Sequence, residues 1–360
     1  MFVILIGTKA QLIKMAPVIR ELDEKELPYK FVLTGQHSVT MDEIIESFGI
    51  RKPDDILVKL GESNTSFKLL RWFFAALLAI RKRDYFNSST RLILVHGDTL
   101  SALFGGIVGK FHKIPVAHIE AGLRSFNYFN PFPEELIRVL VSKIATIHFC
   151  PGEWACNNIK SRKGNVINTQ YNTLYDSYIF AINRENENID KDKKYAIVSM
   201  HRHENLANKK RLEFLIRQII EISETIHVKF ILHPVTDQRL KSSGWISELK
   251  QHKGIDLYER MNYMDFIHLL SGARFILTDG GSNQEEASYM NKPCLLLRSH
   301  TERNEGLSEN VVISDYNPDI INNFITEYQQ DHNQMNSGNI NKSGSNVSPS
   351  RIIADYLSQY

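Results

Sequence analysis

Short apolar runs alternate along this chain with longer stretches in which apolar side chains recur every three to four positions. Four to six apolar residues bounded by polar turns suit a strand buried on both faces, and the longer period suits a helix with one buried stripe. In the first half the pattern predicts strands at Phe2–Ile6, Lys30–Leu33, Leu92–Val95, Pro115–Ile119 and Thr146–Cys150, with helices such as Leu12–Glu24 and Ser101–Phe111 between them. A second series is predicted at Tyr195–Ser199, Val228–Leu232, Gly254–Tyr258, Arg274–Leu277 and Pro293–Leu297. This is the signature of βαβ units, so the fold class is α/β with parallel sheets and two Rossmann-like domains, 1–170 and 171–349. The polar stretch Arg184–Lys194 reads as a surface connection, and Asn333–Ser348, rich in Asn, Ser and Gly, buries little. The amphipathic pattern then returns over Ser350–Tyr360, a helix expected to pack back on the first domain.

Composition narrows the classes. Hydrophobic residues make up 42% of the 360, and 43 Lys+Arg against 41 Asp+Glu leave a formal charge of +2, which fits neither a disordered chain nor a strongly basic nucleic-acid binder. The 3 cysteines, Cys150, Cys156 and Cys294, lack zinc-site spacing and are too few for a disulfide framework, so they read as reduced, buried thiols in a cytoplasmic protein. The apolar opening Met1–Gly7 reads as a buried strand rather than a signal peptide. The apolar run Trp72–Ile80 is far shorter than the about 20 residues that span a bilayer. Its basic flanks, Lys68, Arg71, Arg81, Lys82 and Arg83, admit an interfacial helix, but an all-round apolar helix is expected to be buried, with no stable membrane insertion.

Candidate chemistry collects just after the predicted strands, the edge at which open α/β sheets bind ligands. There stand Gly7-Thr8-Lys9, His96-Gly97-Asp98-Thr99, Glu120-Ala121-Gly122-Leu123-Arg124, His201-Arg202-His203-Glu204-Asn205 and Asp279-Gly280-Gly281-Ser282. Thr278–Ala287 joins a strand to a helix through small residues, so its helix N-terminus suits a phosphate or pyrophosphate, and Glu285 and Glu286 one turn in could hold sugar hydroxyls. The dinucleotide fingerprint GxGxxG is absent from the first strand–helix turn, against an NAD enzyme. Asp98, Glu120 and Glu134, the last in Pro131-Phe-Pro-Glu-Glu135, form an acidic set whose burial and mutual repulsion could separate an acid from a base. Glu135 reads as a dipole-favouring helix-start residue; Lys14, Arg124, Arg138, His201 and Arg202 are the basic partners at hand.

The ordered motifs GTKAQLIKMAPVI, TGQH, VHGDTLSA, HIEAGLRS, PFPEE, HRHEN, TDGGSNQEEA and KPCLLLRSHTER resemble those of the non-hydrolysing UDP-N-acetylglucosamine 2-epimerase family over nearly the whole chain. The resemblance implies a glycosyltransferase-B-like pair of Rossmann units with the active site in the interdomain cleft, no metal, no nicotinamide or other cofactor, a UDP-sugar substrate and a homodimer. It implies catalytic roles for Asp98, Glu120, Glu134 and His201, and substrate contacts by Lys9, Lys14, Arg138, Gly280, Gly281, Ser282, Glu286 and Arg303. The implied reaction is anti-elimination of UDP to a 2-acetamidoglucal and re-addition with protonation on the opposite face, for surface polysaccharide synthesis.

Departures from the family pattern are informative. The usual opening GTRPE is here Gly7-Thr-Lys-Ala-Gln11, the usual DSGG is Asp279-Gly-Gly-Ser282, and TERPE becomes TERNE with Asn304. Lys9 keeps a charge but lacks the bidentate fork of arginine. The substituents at C3, C4 and C6 of the sugar therefore stay open. The rival readings are a hydrolysing 2-epimerase, against which HIEAGLRS and PFPEE argue, and a glycosyltransferase on the same scaffold.

Overall fold

The structure, a computed structural model, describes residues 1–35, 41–59, 66–80, 85–87, 89–129, 131–184, 195–329 and 347–360. Gln36 and His37 of the TGQH motif, Arg81–Arg83, and nearly all of Arg184–Lys194 and Asn333–Ser348 lie outside those residues. The chain divides into two units, Met1–Ser177 with Asn346–Tyr360, and Tyr178–Ser345.

The first unit runs β1 (Phe2–Ile6), α1 (Lys9–Glu24), β2 (Tyr29–Leu33), α2 (Asp42–Phe48), β3 (Asp55–Ile56), α3 (Ser66–Ile80), β4 (Leu92–His96), α4 (Leu100–His112), β5 (Val116–Ile119), α5 (Glu134–Ile144), β6 (Ile147–Cys150), α6 (Glu153–Ile159) and β7 (Asn165–Asn168). Helix α7 (Leu174–Ile182) then carries the chain across the unit boundary. The second unit continues β8 (Tyr195–Met200), α8 (His203–Ala207), α9 (Lys209–Ser223), β9 (His227–Leu232), α10 (Pro234–Ser243), α11 (Trp245–Gln251), β10 (Ile255–Glu259), α12 (Tyr263–Gly272), β11 (Phe275–Thr278), α13 (Gly281–Tyr289), β12 (Cys294–Leu296), β13 (Val311–Ile313) and α14 (Pro318–Gln329). Helix α15 (Pro349–Gln359) closes the chain.

Both sheets are parallel and share one plan. The first has 7 strands in the order β3-β2-β1-β4-β5-β6-β7 and the second 6, in the order β10-β9-β8-β11-β12-β13. The inner strands are apolar throughout because helices cover both faces; every residue of β1, β4 and β8 is buried. The reversal of strand order falls between β1 and β4 in one unit and between β8 and β11 in the other, where crossovers depart in opposite directions and leave a crevice at the strands' carboxyl ends.

Local chemistry explains where the pattern misleads. Helix α1 starts at Lys9, earlier than the predicted Leu12, because Thr8 and Gln11 form a reciprocal capping box. The edge strands β3, β7 and β13 escape the apolar-run criterion because they are only 2, 4 and 3 residues long, β7 reading Asn-Val-Ile-Asn. Helix α3 is not buried all round: Trp72, Ala76 and Ile80 face the core while Phe74 and Leu78 stand 58% and 61% exposed. Cys150 and Cys294 are buried and Cys156 half-buried, all three as free thiols. Helix α15 lays Ile353, Ala354 and Leu357 against the first unit and packs on α1, with Asp355 pairing Lys25 at 2.7 Å and the Ser350 amide donating to Asp176 at 2.7 Å. Among the described residues no helix is long and apolar enough to cross a membrane.

Candidate functional site

In the first unit the loops after β1 and β4 meet at the switch point. A Cβ on Gly7 would lie 1.7 Å from the Ser101 hydroxyl, so only glycine permits this approach. The buried Gln11 side chain ties the loops: its oxygen accepts from the Gly7 and Thr8 amides at 2.8 and 3.1 Å, and its NH2 donates to the His96 carbonyl and Thr99 Oγ1 at 2.6 and 2.8 Å. A glutamate could make the first pair of bonds and could accept from the Thr99 hydroxyl, but it could not donate to the His96 carbonyl. The departure at position 11 is thus a structural tie in this chain.

One strand over, Glu120 directly follows β5 with its backbone at φ 64°, in the left-handed region that few non-glycine residues enter. Its buried carboxylate accepts from Lys14 Nζ at 2.6 Å and from Asn172 Nδ2 at 2.6 Å on Oε1, and Oε2 lies 3.6 Å from His96 Nδ1. Lys14 is equally buried, reaching across from α1. Burial pushes His96 down to about 4 despite Glu120 nearby, and pushes the adjacent His118 to about 4 against its bond to the Gly97 carbonyl. Both imidazoles are therefore neutral at pH 7.

Asp98, half-buried after β4, pairs with Arg138 on α5. The other arm of Arg138 meets Glu135 Oε2 at 3.4 Å, and fully buried Glu135 also accepts from Arg124 Nε at 2.5 Å and the Ser125 amide at 3.0 Å. Glu135 is thus no mere helix-start residue but the centre of a buried ion-pair chain, Arg124–Glu135–Arg138–Asp98. The expectation of carboxylates separated by mutual repulsion needs the same correction: Asp98 and Glu120 are each matched to a cation. Glu134 opens α5 and is half-buried, as is Lys9 at the start of α1.

The second unit builds its switch point from a carboxylate. Asp279, fully buried after β11, accepts from the amides of His201 and Arg202, each at 2.9 Å, and from Asn205 Nδ2 at 2.9 Å, so it holds the whole HRHEN loop after β8. Burial raises its carboxyl above the usual range, against the opposing pull of those hydrogen bonds. The His201 ring stacks on His233 with centroids 4.3 Å apart. Burial first and then neighbouring cations push both rings down, to about 4 and about 3, so both are neutral at pH 7.

Gly280 caps α13 without any side-chain cap, which leaves the first-turn amides of Gly281 and Ser282 unclaimed by a capping side chain. A Cβ on Gly281 would meet Arg303 Nε at 2.6 Å, so its lack of a side chain admits the guanidinium. Arg303 pairs with the fully buried Glu285 at 2.6 Å, so Glu285 is a structural partner and does not offer itself to a sugar. Glu286 accepts from Asn283 at 3.0 Å and pushes the neighbouring Tyr263 phenol upward, after burial. Behind the loop, Arg298 bridges Glu204 and Glu302 at 3.3 and 3.1 Å, and Glu302 also takes Arg202 at 3.2 Å.

Within each unit the structure gathers the residues expected from the sequence. Lys14, Glu120, Asp98 and Arg138 share the strand ends of the first sheet, and His201, Gly280, Gly281, Ser282, Glu286 and Arg303 those of the second. Sequence reasoning missed Asn172, Gln11's tie, the approach of His96 to Glu120 and the organising roles of Asp279 and Glu135. The signal for Asn172 was there to read, an Asn just ahead of an apolar helical stretch, but a cap is all that such a signal predicts.

A profile of the family described as UDP-N-acetylglucosamine 2-epimerase matches residues 20–355. The UDP-N-acetylglucosamine 2-epimerase of Methanocaldococcus jannaschii is 33% identical over 363 aligned residues, covering 96% of each chain. That of Bacillus subtilis is 32% identical over 314 residues, covering 84% of this chain and 79% of its own. A crystal structure of the Methanocaldococcus jannaschii enzyme in complex with UDP-GlcNAc and UDP superposes with a TM-score of 0.84 at 29% identity, over 100% of this chain and 99% of that one. The Neisseria meningitidis enzyme bound to UDP-GlcNAc likewise gives 0.84 at 28% identity, over 100% of both chains. With a family match over most of its length, this chain belongs to the UDP-N-acetylglucosamine 2-epimerase family.

Proposed function

We propose that the protein inverts C2 of UDP-N-acetylglucosamine, or a close UDP-2-acetamido sugar, without net hydrolysis, giving the manno-configured UDP-sugar for surface polysaccharide synthesis. The C2 hydrogen is not next to a carbonyl, so its removal is coupled to departure of UDP. A carboxylate takes the C2 proton as the C1–O bond breaks and leaves a 2-acetamidoglucal; UDP then adds back to C1 as C2 is protonated on the other face. Two faces need two acid/base groups, and the leaving diphosphate needs positive charge held in place.

The observation that carries this reading is the buried Lys14–Glu120 pair with Asn172 on the same carboxylate oxygen, beside Asp98 on Arg138. Such preorganised carboxylates serve proton transfer on both faces of the sugar, with Glu134 as a third. The α13 N-terminus, through Gly280, Gly281 and Ser282, suits the diphosphate, and Arg303 and His201 add to its surroundings, while Lys9 is a cation of the first unit for the substrate. In this reading Glu286, one turn into α13, holds sugar hydroxyls. The reading requires both units to act on one substrate, no metal or nicotinamide, and a cytoplasmic homodimer.

Proton NMR in D2O with UDP-N-acetylglucosamine as the sole addition tests it. Deuterium entering C2 with growth of UDP-N-acetylmannosamine is the expected result. Free N-acetylmannosamine with UDP would replace the reading by a hydrolysing epimerase. No exchange, with turnover only when an acceptor is added, would replace it by a glycosyltransferase.

A further inference from the structure

We propose that Asn172 is a positioning residue of this reaction, aiming the Glu120 carboxylate through a side-chain amide locked by the start of helix α7. The inference rests on the reading of Glu120 as an acid/base group. Asn172 is 2% exposed, and its two amide atoms face opposite needs. Oδ1 accepts from the Leu174 amide at 3.2 Å and from the Thr173 hydroxyl at 3.4 Å, while Nδ2 donates to Glu120 Oε1 at 2.6 Å. Flipping the amide would point oxygen at a carboxylate and NH2 at an N–H, so one orientation holds. The helix therefore fixes the amide, and the amide fixes the carboxylate.

Glu120 needs such help. Lys14 shares Oε1 at 2.6 Å but is a point charge on a flexible stem, which neutralises the carboxylate without setting its plane. His96 on β4 stands 3.6 Å from Oε2, and neither of its ring nitrogens makes a hydrogen bond among the described residues. Asp98 follows on the same loop and is held by Arg138. Facing Glu120 beside the Lys14 ammonium and the His96 ring, the planar amide gives a direction as well as a hydrogen bond. Being neutral, it also favours the ionised carboxylate without adding charge.

A merely structural role would be to hold the first amide of α7, that of Leu174, which an aspartate oxygen can do as well as an asparagine oxygen. Asn172→Asp thus keeps that acceptor but places a second carboxylate against Glu120, while Asn172→Ser keeps a weaker acceptor and removes the donor without adding charge. The expected result is UDP affinity close to wild type and kcat for C2–H exchange down roughly 10–100-fold in both, with the melting temperature lowered more by the second buried carboxylate of Asn172→Asp than by Asn172→Ser. In Asn172→Asp alone, the limb of the kcat–pH profile set by Glu120 moves to higher pH, since a like charge disfavours its ionised form. Should the aspartate variant fail to fold, the kcat loss in the serine variant decides. Wild-type kcat in the folded variants, with an unshifted pH profile in Asn172→Asp and an inactive Glu120→Gln, would overturn the inference alone. An active Glu120→Gln would overturn the reading of Glu120 and the inference with it.

Discussion

At the switch point of the first unit a neutral amide, Gln11, ties the two loops together; at the equivalent point of the second a buried carboxylate, Asp279, does so. Strand order is the same in both. The first unit can thus leave its carboxylates to face lysine and arginine side chains at the sheet edge. The second commits Asp279, Glu285 and Glu302 to holding its own backbone and arginines, and what it presents outward is a helix N-terminus. One topology therefore carries two kinds of site, one built from side-chain ion pairs and one from oriented amides.

The sharpest way to break this contrast is to neutralise one carboxylate in each unit. Glu120→Gln is expected to lower C2–H exchange by about 1000-fold or more while UDP affinity, measured calorimetrically, changes little. Asp279→Ala should do the reverse of a catalytic lesion. It orphans the His201 and Arg202 amides, costs about 3–5 kcal/mol by urea unfolding and weakens UDP binding as the loop releases. If Asp279→Ala binds UDP normally, the second unit's site does not depend on its backbone frame.

Acid should weaken both units next. His96 and His118 titrate at about 4 when folded against roughly 6.5 when unfolded, so the unfolded chain binds more protons between those values. Their contribution is complete above pH 6.5 and lost as pH falls toward 4, at up to about 1.4 kcal/mol per pH unit for each histidine. In the second unit His201 and His233 shift the same way, to about 4 and about 3. Hydrogen exchange at pH 7 and pH 5 should therefore show protection falling in both sheets. The smallest effect is Gln11→Glu, which replaces both donors to the β4 loop by acceptors and is expected to cost about 1–3 kcal/mol by thermal melting. A stabilised variant would mean that the family's usual glutamate fits this frame after all.

Much of this was legible in the amino-acid order. Apolar runs such as Phe2–Ile6 and Leu92–His96 announce central strands because both faces are covered, and the turn residues after them place Asp98, Glu120 and Gly280 at the binding edge. What the order concealed are pairings across long separations. Lys14 and Glu120 lie 106 positions apart and Arg202 and Glu302 lie 100 apart, and no local period relates them. Glu135 was misread for the same reason, since an acidic residue at a helix start has a sufficient local explanation whether or not two arginines converge on it. The edge strands stayed hidden because two to four residues carry too little pattern.

Helix α15 ties residues near position 355 to a unit whose first strand is complete by residue 6. During synthesis the second unit, continuous from Tyr178 to Ser345, can finish folding as it leaves the ribosome, while the first waits with α1 uncovered for its last helix to emerge. Until α15 emerges, a folded second unit would thus stand beside a first unit whose α1 lacks its partner helix, with Lys25 and Glu21 without their ion pairs to Asp355 and Arg351.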